Sequence, residues 1–272
     1  MENLFTTDTW TKKITDFSGL SLDIQNKIDE IKNIHSNIRP LILKIPFEKN
    51  HNLSEIFILS FDSSLYILET LDKTVITTEL KYNDINYIEL TIILLNSSLL
   101  INNGLVNKKI YFNTANEEYF HAIIKKIRNY QNNQYFKDLK SSKLDYLKDI
   151  NLKLFNYSKF AMKRREDIID TVYQSANKKQ NIESNLTILS TNELVFIKET
   201  DELSKPDTSL YGGTWVYIPI KKIRNLKIEN NKNKFLFSLI LIFKDNTTYK
   251  INYTYEAKSS FKEFDKEIKK LL

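Results

Sequence analysis

The chain has 272 residues, 42% of them hydrophobic and 12% aromatic, which is enough to build packed cores and excludes a wholly disordered protein. Cysteine is absent, so disulfides, thiolate metal sites and cysteine nucleophiles are excluded. The formal net charge of +6 is concentrated in residues 136–165, where nine Lys and Arg accompany three acidic residues.

The N-terminus lacks the basic and apolar regions of a secretory signal. The most apolar run, residues 235–243, is about half the length that a membrane-spanning helix needs. We therefore expect a cytoplasmic protein, with a peripheral position on a membrane as the alternative.

The first predicted element is a helix within an N-terminal segment of residues 1–40. Ser21 is an N-cap residue, and Ile24, Ile28 and Ile31 share one face of the helix that follows. Pro40 stops the pattern, since proline cannot continue a helix.

Beyond this helix the chain contains an internal repeat. The stretch ILSFDSSLYILET, residues 58–70, and the stretch ILSTNELVFIKET, residues 188–200, are identical at 6 of 13 positions when they are aligned without a gap. After a shift of 8 residues, KYNDINYIEL (81–90) aligns with IKKIRNLKI (220–228) in its apolar spacing. The sequence therefore predicts the same fold twice.

Each copy is predicted to contain about seven strands and a final helix, because strand-like alternation gives way to helical spacing near its end. In the first copy the strands fall near residues 41–47, 55–61, 65–70, 75–80, 85–91, 92–101 and 108–113, with a helix from Ala115. In the second they fall near residues 167–175, 185–190, 194–200, 214–219, 223–229, 234–244 and 247–254, with a helix from Glu256.

Between the copies, residues 131–165 are predicted to form one basic amphipathic linker helix. Its apolar positions follow a 3-4-3-4 spacing, typical of a short heptad seam, at Leu147, Ile150, Leu154, Tyr157 and Ala161. We interpret it as a connector that buries this seam and solvates its cations. The alternatives are that this helix binds anionic lipid or nucleic-acid phosphates.

The sequence pattern of the repeat resembles that of bacterial pleckstrin-homology-like (PH-like) and GRAM-type domains. The resemblance lies in ILSTNELVFI with YIPIKKIRNLKI, including Pro219, and in the looser pair ILSFDSSLYI with LKYNDINYIEL. It covers residues 41–130 and 166–272, which we take as PH-like domains 1 and 2. It implies an α+β, mainly β fold class: two tandem PH-like barrels of about seven strands and a C-terminal helix each, each preceded by a helix. It also implies a binding or scaffolding role.

Catalytic patterns are missing from the sequence. The histidines His35, His51 and His121 lie far apart and lack metal-ligand spacing. The four glycines are too scattered for a phosphate-binding loop or a nucleophile elbow. We expect no enzyme activity, no metal and no cofactor, although a site formed between the copies stays open as an alternative.

Basic residues are the candidate ligand-binding groups. In many PH domains the loop between the first two strands holds phosphorylated head groups, and by this resemblance Lys178 and Lys179 are candidates. Near the fifth strand of the second copy they are joined by Lys221, Lys222 and Arg224, and in the linker by Lys163, Arg164 and Arg165. The alternative for each group is a solvated surface.

These observations favour a non-enzymatic binding or scaffolding protein, a protein–protein adaptor, whose partner is another protein. The alternative is a peripheral membrane protein that binds an anionic lipid surface or a phosphate head group through the linker and domain 2. Nucleic-acid binding is not expected, because no recognition motif accompanies the cations.

Overall fold

The computed structural model of the chain describes residues 10–36, 38–46, 55–71, 74–93, 96–132, 142–162, 167–199, 212–231 and 236–272. The predicted linker cations Lys163, Arg164 and Arg165 lie outside these ranges. The chain divides into two compact units. Unit 1 comprises Met1–Ile85, Leu95–Ser97 and Tyr111–Asn133, and unit 2 comprises Asn86–Leu94, Ser98–Ile110 and Gln134–Leu272.

The described ranges contain five α-helices and fifteen strands. The helices are α1 Leu22–Ile34, α2 Glu117–Asn132, α3 Leu147–Ile150, α4 Leu152–Ala161 and α5 Lys258–Leu271. The first eight strands are β1 Lys12–Lys13, β2 Leu41–Ile45, β3 Ile56–Ser60, β4 Ser64–Leu71, β5 Thr74–Lys81, β6 Tyr87–Ile93, β7 Asn96–Asn102 and β8 Asn107–Asn113. The others are β9 Ile168–Gln174, β10 Asn185–Ser190, β11 Glu193–Glu199, β12 Gly212–Pro219, β13 Ile223–Asn231, β14 Leu236–Phe243 and β15 Thr248–Thr254.

The strands form three open sheets, which makes the predicted pair of barrels wrong. Their strand orders are β1-β2-β3-β4-β5, β8-β7-β6-β12-β11-β10-β9 and β13-β14-β15. A barrel would require the strands of one copy to close on themselves. Instead β6 of the first copy pairs antiparallel with β12 of the second, from Gly212 opposite Ile93 to Tyr217 opposite Ile88. This pairing uses the edge that closure would need.

The prediction of one linker helix over residues 131–165 is also wrong. Helix α2 ends at Asn132, and the later helical stretch is broken between α3 and α4. At the break Asn151 has φ −154°, and its side chain accepts a hydrogen bond from the Leu154 amide as the N-cap of α4. The predicted seam is therefore interrupted: Leu154 is buried, whereas Ile150 is 57% exposed.

Helix α1 lies where the sequence predicts it and covers one face of the five-stranded sheet in unit 1. Its N-cap is Ser21, and its buried residues are Ile24, Ile28 and Ile31. These residues pack on alternate residues of the sheet, since one face of a strand presents every second side chain. Their partners include Ile42, Phe57, Leu59, Phe61, Tyr66 and Leu68.

Unit 2 has a core to which two sheets and helix α5 contribute. Phe261, Phe264 and Ile268 line one face of α5 and are buried. The same core contains residues of β11, β12, β14 and β15, including Leu194, Phe196, Val216, Ile218, Leu239, Leu241 and Tyr253. Tyr253 is completely buried and its hydroxyl lies 2.5 Å from that of Thr187, which satisfies both groups.

The hairpin registers correct the alignment of the repeat by one residue. In the first copy Ser60 pairs with Leu65, and the turn residues are Asp62 and Ser63. In the second Leu189 pairs with Leu194, and the turn lies one step earlier relative to the ungapped match. Leu65 therefore corresponds to Leu194 and not to Val195, and a one-residue slip of this kind exchanges the two faces of a strand.

Two hairpin turns of unit 2 are joined by a polar cluster around Asn86. Its Nδ2 donates to Oδ2 of Asp245 at 2.6 Å and lies 3.2 Å from Oγ1 of Thr247. Burial alone raises the pKa of Asp245, but hydrogen bonds from Thr247 and Asn86 outweigh it and hold this pKa below its usual range. Gly104 lies against this cluster with φ +87°, and a Cβ there would come 1.8 Å from Asp245 Oδ2.

We expect Gly104→Ala to destabilise the fold by about 1–3 kcal/mol, because alanine is strained at this φ and its methyl group displaces Asp245. Urea denaturation measures the change. The control is Gly19→Ala, where the added methyl meets nothing within 4 Å. Equal stability of the two variants would contradict the placement of the turn.

Candidate functional site

The first predicted cations lie in a tight connection between β9 and β10. Lys178 and Lys179 are exposed on one 3₁₀ turn. Asn177 caps this turn by accepting a hydrogen bond from the Gln180 amide, and Asn181 closes it with φ 54°. The connection is fixed by its backbone, and it holds both lysines at the surface.

The second group of cations lies where β12 passes into β13. Lys221 and Arg224 are exposed, and the Lys222 carbonyl accepts a hydrogen bond from the Lys244 amide at 3.0 Å. Partial burial and the nearby Lys244 ammonium lower the pKa of Lys221. The Arg224 guanidinium donates to Oδ1 of Asn246. Lys221, Lys222, Arg224 and Lys244 form what we call the basic turn cluster.

The structure does not bring the two groups of cations together. In the seven-stranded sheet the β9–β10 connection lies at the end where the antiparallel strand β12 begins, and Lys221 follows the end where β12 finishes. The eight residues of β12 span about 25 Å. The predicted ligand-binding residues therefore form two separate groups, and their role as a ligand site stays a prediction.

Strand β5 forms an open edge of the five-stranded sheet. The Tyr82 amide, which directly follows β5, donates to the Ser63 carbonyl at the start of β4. Since amides along a strand alternate in direction, those of Ile76, Thr78 and Leu80 also face β4. The amides of Val75, Thr77 and Glu79 face outward, where the described residues place no further strand.

The β5 edge also carries exposed apolar side chains. Ile76 is 45% exposed, and Leu71 in the preceding strand is 51% exposed. Thr77 has a buried hydroxyl that finds no hydrogen-bond partner among the described residues. An edge with unpaired backbone groups and apolar side chains is a template for another strand.

A polar chain runs from helix α1 to the β5 edge. Nε2 of His35, just after α1, lies 2.9 Å from the Tyr66 hydroxyl, which in turn donates to Oε1 of Glu79 at 2.9 Å. The His35 ring stacks on Phe61 at 4.1 Å. Burial, and then the Glu79 carboxylate, raise the pKa of Tyr66. This chain fixes the position of Glu79, the only acidic residue of β5.

Strand β13 is the outer strand of the three-stranded sheet, and no other strand of the described ranges pairs with its outer edge. Phe243 donates from β14 to Thr247, so that alternation directs the Ile240 amide to its partner Lys227 in β13. The amides of Leu226, Ile228 and Asn230 consequently face outward. The side chain of Ile228 is 38% exposed.

An equivalent edge is occupied within unit 2, where β12 pairs with β6. Ile220 donates to Asn192 next to β11, so the outward amides of β12 are those of Gly213, Trp215 and Tyr217. Pro219, which has no N–H, falls in the same outward phase. These outward residues pair with Ile92, Leu90 and Ile88 of β6.

Comparisons with known proteins do not assign this chain to a family. No protein-family model matches the sequence, and no curated protein matches it significantly.

The described residues include no group of three or more His, Asp or Glu that could hold a metal ion. None of the helices found there is long and apolar enough to cross a membrane.

The open edges of β5 and β13 were not predicted, because the sequence does not distinguish these strands from those that have two neighbours. Ile76 and Ile228 are β-branched residues in predicted strands, and both are substantially exposed in the structure. Hydrophobic patterning identifies strands but does not say which strand lacks a neighbour. The edge is a property of the strand order alone.

Proposed function

We propose that this protein is a non-enzymatic scaffold that binds a protein partner by strand addition at the open edge of β5. The observation that carries this proposal is the contrast between two equivalent strands. Strand β12 holds a neighbouring strand along its outer edge, whereas β5 has none among the described residues. The resemblance of the sequence to PH-like and GRAM-type domains, whose usual role is binding, is consistent with it.

The open backbone groups of the edge support an extended peptide segment as the partner. Val75, Thr77 and Glu79 supply outward backbone donors and acceptors, which give affinity in strand addition. Exposed Ile76 offers an aliphatic surface to the side chain that faces it, and the carboxylate of Glu79 favours a cation diagonal to it. The partner is therefore a strand that combines apolar and basic side chains.

We expect Thr77→Pro to abolish capture of such a partner while it preserves the fold. Proline removes an outward N–H but no hydrogen bond to β4, so an edge strand tolerates it. Affinity capture from the source cell, with wild-type and variant chains as baits, measures the loss.

The matched control is Lys250→Pro on β15, the other edge of the three-stranded sheet. Phe243 donates to Thr247, so the Lys250 amide faces outward as that of Thr77 does. A partner that is lost equally with both variants, or with neither, would not bind at β5.

The basic turn cluster supports a second proposal, in which the protein lies on an anionic membrane surface. Lys244 lies close enough to lower the pKa of Lys221, so the cluster concentrates positive charge that an anionic lipid would neutralise.

For this second function we expect Lys221→Glu with Lys222→Glu to weaken sedimentation with phosphatidylserine vesicles, by about fivefold or more for each cation. A companion variant replaces Lys178 and Lys179, the other predicted ligand-binding lysines, with glutamate. Because these lysines lie at the other end of the sheet, binding through the basic turn cluster should survive this change. Wild-type binding that does not depend on lipid charge or salt would remove the membrane proposal.

A further inference from the structure

The occupied edge of β12 and the open edge of β5 are equivalent in the repeat. Leu65 pairs with Leu80 in the first copy, and Leu194 pairs with Ile218 in the second. A 3₁₀ turn follows in each, at Tyr82–Asp84 and at Ile220–Lys222. Residues of β5 therefore correspond to residues of β12 that lie 138 positions later, as Leu80 does to Ile218.

The strand that occupies β12 also has an equivalent. Strand β6 follows the first 3₁₀ turn, and β13 follows the second, so the same offset places Ile88 on Leu226 and Leu90 on Ile228. Strand β6 pairs with β12, but the outer edge of β13 has no neighbouring strand among the described residues. The edges of β6 and β12 are therefore joined to each other, whereas the equivalent edges of β13 and β5 have no partner strand among the described residues.

We propose that β13 of one molecule pairs with β5 of a second copy of this chain, in the antiparallel register of β6 with β12. This inference rests on the proposed function, since it names the partner of the β5 edge. Transferring the register by 138 positions sets Glu79 opposite Leu226 of the neighbour, Thr77 opposite its Ile228 and Val75 opposite its Asn230.

The hydrogen-bonding phases of the two open edges match in this register. Val75, Thr77 and Glu79 have outward amides, as do the opposing Asn230, Ile228 and Leu226. Each such pair can exchange two backbone hydrogen bonds, as hydrogen-bonded pairs of an antiparallel ladder do. In the free edge the Leu226 amide donates to Oδ1 of Asn225 at 2.8 Å, and assembly exchanges this bond for one to the Glu79 carbonyl.

The side chains are compatible with the same register. Exposed Ile228 lies opposite Thr77, and exposed Ile76 lies opposite Glu229. Thr78 lies opposite Lys227, so no like charges face each other between Val75 and Glu79. The pairing covers two of the exposed isoleucines of the described residues, Ile76 and Ile228.

The two edges of such a contact are different, so the assembly is heterologous. Each molecule offers one β5 edge and one β13 edge, and every added copy leaves one of each open. Copies therefore join head to tail into open chains, or into rings where the rotation closes.

Analytical ultracentrifugation of the full chain over a wide range of concentration tests the proposal. We expect the mass of the wild-type chain to rise with concentration. Thr77→Pro and Ile228→Pro each remove one outward N–H, and each should weaken self-association on the order of tenfold or more. Mixed in equal amounts they should form a dimer and nothing larger, since only one competent β5 and one competent β13 edge remain.

A second pair of variants tests the register without proline. Ile76→Glu places a carboxylate opposite Glu229 and should weaken association up to about fivefold, and adding Glu229→Lys in the same chain should restore it. Both positions are exposed, so the fold tolerates the changes. Lys250→Pro, on the outer edge of β15, should leave association unchanged.

A wild-type chain that stays monomeric at every concentration overturns self-assembly. So does an Ile228→Pro variant that associates as strongly as wild type, which would indicate pairing of β5 with itself. If the monomeric wild-type chain still captures a protein in a Thr77-dependent way, self-assembly is wrong and the scaffold function stands. If that capture is also absent, strand addition at β5 is wrong altogether.

Discussion

The pairing of β6 with β12 is the interaction on which the architecture of unit 2 depends. It joins strands that are distant in the sequence, from Ile93 opposite Gly212 to Ile88 opposite Tyr217. Backbone hydrogen bonds contribute on the order of 1 kcal/mol each, and the pairing also removes two unprotected edges from the surface. It extends four strands of the second copy into a seven-stranded sheet. The pairing uses β6 of the first copy and β12 of the second. Their equivalents in the repeat, β13 and β5, therefore keep open outer edges among the described residues.

The two equivalent edges have diverged in a way that fits their different neighbours. A Cβ on Gly213 would come 2.6 Å from Cε2 of Tyr157, so glycine is needed where α4 covers the start of β12. Trp215 in the same strand packs on the Tyr157 ring at 4.8 Å and donates to the Tyr157 carbonyl at 3.2 Å. The corresponding residues of β5 are Val75 and Thr77. Helix α4 therefore packs on the start of β12 through Tyr157, whereas β5 has the β-branched residues Val75 and Thr77 at the equivalent positions.

Local patterns predicted the elements well and their partners poorly. The strands and the helix α1 could be predicted because alternation, the cap at Ser21 and the stripe of Ile24, Ile28 and Ile31 are properties of neighbouring residues. The break in the linker depends on Asn151, whose capping bond to Leu154 competes with continuation of the helix. The cations Lys178 and Lys221 could be named from the sequence. Their separation could not, because it follows from the direction of β12 in the sheet.

Residue-resolved hydrogen exchange tests the central pairing most directly, at a dilution where the chain is monomeric. In β5 the amides of Val75, Thr77 and Glu79 should exchange fast while those of Ile76 and Thr78 are protected, which gives a period of two along an open edge. In β12 this alternation should be absent, because Gly213, Trp215 and Tyr217 donate to β6 while Thr214 and Val216 donate to β11. Rapid exchange at Gly213, Trp215 and Tyr217, matching that of Val75, Thr77 and Glu79, would contradict the pairing of β6 with β12 and the assembly inferred from it.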